Sequence, residues 1–156
     1  MGNGTKEKPL TREDVLRLIE ENGGKTVGLD LSGKEFESGI DLSKLNLSGI
    51  ILEGASLTDA HFEGSALLGA HPEGADLSFA HFEGAELFFT YLEGAFLWST
   101  HFSLNTRLEG VRWGNYTVDL EMNKENIETG KQLVEILWEI VHDPRIRQGL
   151  PPKMEE

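Results

Sequence analysis

Three histidines, His61, His81 and His101, recur at intervals of twenty residues, and glutamates follow the first two at the second place, Glu63 and Glu83. Imidazole nitrogen beside carboxylate oxygen is the ligand chemistry of a divalent metal site. If that interval stacks them in a column, imidazoles that repel when protonated would also sense acid near about pH 6, an effect that neighbouring glutamates oppose. Ligands in one straight column suit a tetrahedral ion poorly, and the plainer reading is a row of hydrogen-bonded surface side chains. The expectation is therefore no metal and no cofactor, with His61, His81 and His101 as the residues to watch. Ser–His–Asp clusters, zinc-ligand motifs and phosphate-binding glycine loops are all missing from the sequence, so no enzyme is expected.

The elements that carry these residues follow from a period of five. A large residue returns at Leu42, Leu47, Leu52, Leu57, Phe62 and Leu67, is interrupted by Pro72, and continues at Leu77, Phe82, Leu87, Leu92, Leu97 and Phe102. A second series runs two residues ahead, from Ile40 through Ala60 and Ala80 to Thr100. Helices repeat near 3.6 residues and strands at 2, so neither accounts for five. One short turn must be made many times, which is the mark of a solenoid. The two inward positions lie two apart, so each unit is locally extended. The other three residues turn a corner, with glycine often last, as at Gly54 and Gly64.

Units such as Ala75-Asp76-Leu77-Ser78-Phe79 and Ile40-Asp41-Leu42-Ser43-Lys44 resemble the A-(D/N)-L-x-x motif of the pentapeptide repeat family. The resemblance covers Leu29 to Trp113. It implies a right-handed quadrilateral β-helix, mainly β, of roughly four coils spaced as stacked strands are. The phase slips by one residue twice, across Glu37-Ser38-Gly39 and across Asn105-Thr106-Arg107, which read as corner bulges. Pro72 has no N–H, so one ladder bond should be missing there.

An open solenoid exposes unpaired strand edges that need covers. Residues 1–26 form an N-terminal segment whose helix, Thr11 to Asn22, is capped by Thr11 with Asp14 three residues on. Its apolar face is Val15, Leu16, Leu18 and Ile19, assigned to the N-terminal end of the coil. Residues 27–116 are the repeat domain. Residues 117–156 hold a second helix near Gly130 to His142 and a tail. The stripe Leu133, Ile136, Leu137, Ile140 and Val141 either caps the coil or pairs with a second subunit, and both alternatives stand.

The net charge is −13, with no cysteine. No Lys or Arg occurs between Lys44 and Arg107. Direct nucleic-acid or membrane binding is not expected, and a cysteine-free chain without an apolar span suits the cytoplasm. With four units per coil, as the resemblance implies, residues twenty apart stack. Asp41, His61, His81 and His101 then share one face with Ser43, Glu63, Glu83 and Ser103. Glu53, Glu73 and Glu93 share the opposite face with Ile51, His71 and Tyr91. Leu68, Phe88 and Phe89 mark a third face; Phe79, Phe96 and Trp98 mark the fourth. Exposed aromatics of this kind mark an interface or lie under another segment. The expected role is a non-catalytic interaction or scaffold module with a protein partner, basic if the glutamate columns serve for their field, or with a second copy of itself. The alternative that the resemblance implies is a DNA mimic that binds a type II topoisomerase such as DNA gyrase.

Overall fold

The computed structural model describes residues 1–112. The second predicted helix, with Leu133, Ile136, Leu137, Ile140 and Val141, lies outside the described residues. From Asp30 to Arg112 the chain is a β-helix solenoid. Parallel bridges join Asp41 to His61, Asn46 to Ala66, Ile51 to His71 and Ser56 to Asp76, then start again at His61 to His81. Each coil therefore has four bridges at intervals of five residues. Each bridge is one residue long, because three of every five residues are spent in the turn. The bridging residue points outward and its two neighbours point inward. At His61 its N–H donates to the carbonyl of Ile40 at 2.8 Å, and its carbonyl accepts from Leu42 at 2.8 Å.

The bridge spacing also locates the phase slips. It is 21 for Glu35 to Ser56, 20 for Asp41 to His61, and 21 again for Glu86 to Arg107. The first extra residue lies within Glu37-Ser38-Gly39. The second lies in Ser103-Leu104-Asn105, two residues earlier than Asn105-Thr106-Arg107. The reason is Thr106, which is itself an inward residue at 1% exposure. Its hydroxyl donates to the Phe82 carbonyl at 2.8 Å and accepts from the Ser103 N–H at 2.9 Å.

Leucines and phenylalanines of the main series fill the core, with Leu47, Leu57, Leu87 and Leu108 fully buried. Phe62, Phe82 and Phe102 stack with centroids 4.8 and 5.6 Å apart. The small-residue series admits hydroxyls only where a carbonyl receives them. Ser65 donates to Phe62, Thr90 to Leu67 and Thr100 to Leu77, at 2.8 to 3.0 Å, which removes the cost of burying them. Pro72 is buried in the main series. Leu52 and Leu92, one coil to either side, donate to the carbonyls of His71 and Arg112, a bond that proline cannot form.

Helix α1, Arg12–Glu21, covers the first coil. Leu10 bridges to Phe36 and extends the ladder by one rung. Val15 is buried, and Leu18 and Ile19 pack on the core. Leu16 differs from its expected place: it is 43% exposed, because Val15, Leu18 and Ile19 already form the i, i+3, i+4 stripe and Leu16 sits to one side. Asp14 anchors the cap. Its Oδ2 accepts from the Gly2 N–H, the Thr11 N–H and the Thr11 hydroxyl at 2.9, 3.0 and 2.9 Å, and its Oδ1 faces Arg17 at 3.1 Å. These bonds, the Thr11 N–H foremost, hold its carboxyl far below the usual carboxylate range in spite of its burial. A lowered folded pKa stabilises at pH values above the unfolded pKa and is lost as pH falls toward the folded one. Asp14→Asn is accordingly expected to melt earlier than wild type at neutral pH, with the gap narrowing below about pH 4. Thermal melts across pH check this, and a gap independent of pH would contradict it.

Candidate functional site

The ladder sets the site. Each bridging residue stands directly over its counterpart one coil away, so outward side chains stack. His61 and His81 lie 4.7 Å apart with planes 2° from parallel, and His81 and His101 lie 4.4 Å apart at 5°. Glu63 and Glu83 stand beside this column. Glu63 Oε1 is 2.9 Å from His61 Nδ1, and Glu83 Oε1 is 3.4 Å from His81 Nδ1. Asp59 Oδ1 comes within 3.7 Å of His81 Nε2. The hydrogen bond to Glu63 raises the pKa of His61, against its desolvation. At the foot of the column, the Ser43 hydroxyl and N–H lower the pKa of Asp41, and Arg12 lies 3.4 Å from its carboxylate.

On the opposite face, His71 stacks on Tyr91 at 4.3 Å and contacts Glu73 at 3.0 Å. Arg112 closes that column, with its guanidinium 5.0 Å from the Tyr91 ring centroid and 2.9 Å from Glu93. Arg107 similarly lies 5.0 Å over Phe88 and 3.6 Å from Glu109. Glu63, Glu73, Glu83 and Glu93 each keep a second oxygen buried without a protein partner, so the carboxylates are folded back onto the coil. Glu53 is exposed.

The aromatic residues divide between two opposite faces. Leu68 and Phe89 are exposed on one, with Phe88 half-buried; Phe79 and Phe96 are exposed on the other, with Trp98 half-buried. Phe89 lies across the turn at Gly110, where its ring fills the space a Cβ would take. The sequence reading missed Asp59, Arg12, Arg107 and Arg112. Arg107 and Arg112 bridge to Glu86 and Tyr91 across the second slip, where the step is 21, so a count of twenty does not reach them.

A ladder of four bridges per coil around a continuous apolar core defines a repeat protein of the β-helix class. The family model of pentapeptide repeats, eight copies long, matches residues 38–71 and 55–88. Residues 38–88 are thus pentapeptide repeats of this family. Among solved structures, it is similar to HetL, a pentapeptide repeat protein involved in heterocyst differentiation regulation in the cyanobacterium Nostoc sp. strain PCC 7120. The identity is 30% over 53% of this chain and 39% of HetL, with a TM-score of 0.30. A pentapeptide repeat protein of the cyanobacterium Cyanothece 51142 is 31% identical over 51% of this chain and 63% of its own, with a TM-score of 0.25. One from the thylakoid lumen of Arabidopsis thaliana is 26% identical over 70% and 77%, with a TM-score of 0.27. The chain thus spans about two fifths of HetL and under two thirds of the Cyanothece protein. No curated protein matches it. Among the described residues no helix is long and apolar enough to cross a membrane.

Proposed function

We propose that the protein is a non-catalytic interaction module that binds a protein partner through apolar corners set in an acidic surface. The observation that carries this reading is the backbone at Phe79 and Phe89, where φ is +61° and +54°. Gly69 and Gly110 hold the equivalent corner one coil before and after Phe89. A residue with a Cβ loses roughly 1–2 kcal/mol in this left-handed conformation, and a bulky one fits it badly. Both rings nevertheless face solvent, at 45% and 61% exposure. Folding gains little from either, whereas exposed aromatic anchors are what a contact surface uses. Phe88, Phe96 and Trp98 extend the two faces. Exposed Glu53 adds negative charge that draws a basic partner, while Glu73 and Glu93 beside it already face His71 and Arg112. A second copy of the chain, joined through the Leu133 to Val141 stripe or an aromatic face, is the other protein partner this reading admits. The cysteine-free composition suits a cytoplasmic setting.

The double variant Phe79→Gly, Phe89→Gly tests the reading. Relief of strain offsets the flexibility of glycine and the lost packing, so stability should change by less than about 1 kcal/mol. Self-association in sedimentation, or the partner that copurifies with wild type from the native cell, should be lost. An unchanged sedimentation profile together with an unchanged set of partners would refute it. The alternative, a DNA mimic acting on a type II topoisomerase such as gyrase, draws on the same carboxylates. They suit it less, because Glu63, Glu73 and Glu83 face imidazoles and Glu93 faces Arg112. A change in gyrase supercoiling on adding the protein would favour that alternative.

A further inference from the structure

The stacking of coils brings together groups that lie twenty residues apart in sequence. One nitrogen of His61, one oxygen of Glu63 and one nitrogen of His81 lie within 4.8 Å of one another. The same holds for His81, Glu83 and His101. The glutamates stand beside the histidine column and not in it, so each donor set spreads in two dimensions and escapes the straight-line geometry that the sequence suggested. Each glutamate has Oε2 buried, which leaves Oε1 as the presented atom. His81, common to both sets, has a carboxylate at each nitrogen: Glu83 at Nδ1, 3.4 Å away, and Asp59 at Nε2, 3.7 Å away. Whichever nitrogen takes an ion, the other has a carboxylate to orient the ring, an arrangement common around zinc. Asp41 adds negative charge, and Lys44 stands with Asp41, His61 and Glu63 around an open surface hollow that admits solvent.

We propose that the histidine column with Glu63 and Glu83 binds one divalent transition-metal ion of the Zn²⁺ type, with His81 as the shared ligand. Imidazole and carboxylate match such an ion better than they match hard Mg²⁺. In the stack the ring planes are parallel, so their lone pairs do not converge. An outer ring, His61 or His101, turns about its Cβ–Cγ bond to meet the ion; that torsion is broad and both side chains are partly open to solvent. Because His61 holds Glu63 through Nδ1, ligation through that nitrogen requires that it carry no proton, and zinc uptake releases protons to the buffer.

Calorimetry of the full chain with zinc chloride at neutral pH, repeated in buffers of different ionisation enthalpy, tests the proposal. One ion should bind, with a buffer-dependent heat, and magnesium chloride should give none. His81→Ala removes a ligand from both sets and should weaken binding by at least about 10-fold, the lower end of what loss of an outer-shell partner alone costs. His61→Ala and His101→Ala each leave one set intact and should weaken it less, while the double variant should match His81→Ala. His71→Ala, whose ring stacks on Tyr91 and not on an imidazole, should bind as wild type does. Asp59→Asn, tolerated at its positive φ of 61°, should weaken binding without removing it. Circular dichroism confirms that each variant keeps its coil, and His81→Gln serves if His81→Ala does not. No zinc heat in wild type, undiminished binding in the His81 variant, or an equal loss in His71→Ala would overturn the proposal.

Discussion

Phe82→Ala is expected to destabilise the protein by about 3–5 kcal/mol, the range for emptying a packed aromatic site. Phe82 is 2% exposed and lies between Phe62 and Phe102 in a three-ring stack, with interplanar angles of 1° and 12°. Its removal ends two ring contacts, each worth about 0.5–1.5 kcal/mol beyond the buried area. Relaxation is limited, because the coils on either side are held apart by backbone bonds. Phe62 N–H donates to His81, and Phe82 N–H to His101, both at 2.8 Å. A small apolar void bounded by Leu52, Phe62, Pro72 and Phe82 already adjoins the ring, so the lost volume merges with existing slack. Urea unfolding followed by circular dichroism measures the effect, and a midpoint equal to that of wild type would mean that Phe82 does not face the core.

Leu87→Glu is expected to have a larger effect still, above about 4 kcal/mol, enough to prevent folding at neutral pH. Leu87 is fully buried; the buried hydroxyls of its coil, Thr90 and Thr100, are already given to the carbonyls of Leu67 and Leu77, and no cationic side chain is among the buried described residues to receive a carboxylate. Its neighbour Glu86 is exposed, although it takes part in the same bridge to Arg107. Glu86→Leu should therefore change stability by no more than about 0.5 kcal/mol, as surface substitutions do. One step along an extended segment exchanges core for solvent, so this pair of variants tests the register of the coil at single-residue resolution. Similar melting temperatures for the two would contradict it. Partial refolding of Leu87→Glu in acid would support it, since a buried carboxyl is tolerated better when protonated.

The residues differ in how far their places could be read in advance. Leu42 to Leu97 announce their burial because a period of five leaves one arrangement that covers the main series, with Phe102 at its end half-buried. Thr11 and Asp14 announce the start of α1 because the capping box is local chemistry, complete within four residues. Leu16 was misplaced because an apolar residue beside a full stripe has no local mark of its exposure. The second slip falls two residues before its expected place because Thr106 looks polar, and only the Phe82 carbonyl makes it an inward residue.

The candidate site divides in the same way. That His61, His81 and His101 share a face follows from their spacing once four units make a coil. That Glu63 bends onto His61, that Asp59 reaches His81 from the turn before, and that Arg112 lies on Tyr91 depend on side-chain torsions and on a ladder step of 21 at the C-terminal end. The strain at Phe79 and Phe89 is likewise a property of the corner. Sequence periodicity thus determined the solenoid and its core, because periodic burial is a property of the chain in one dimension, while the columns followed from the four units per coil that the resemblance implies. Which charges meet, and which rings are left in water, was decided by tertiary structure, because those contacts join residues in successive coils at ångström distances that no spacing rule contains.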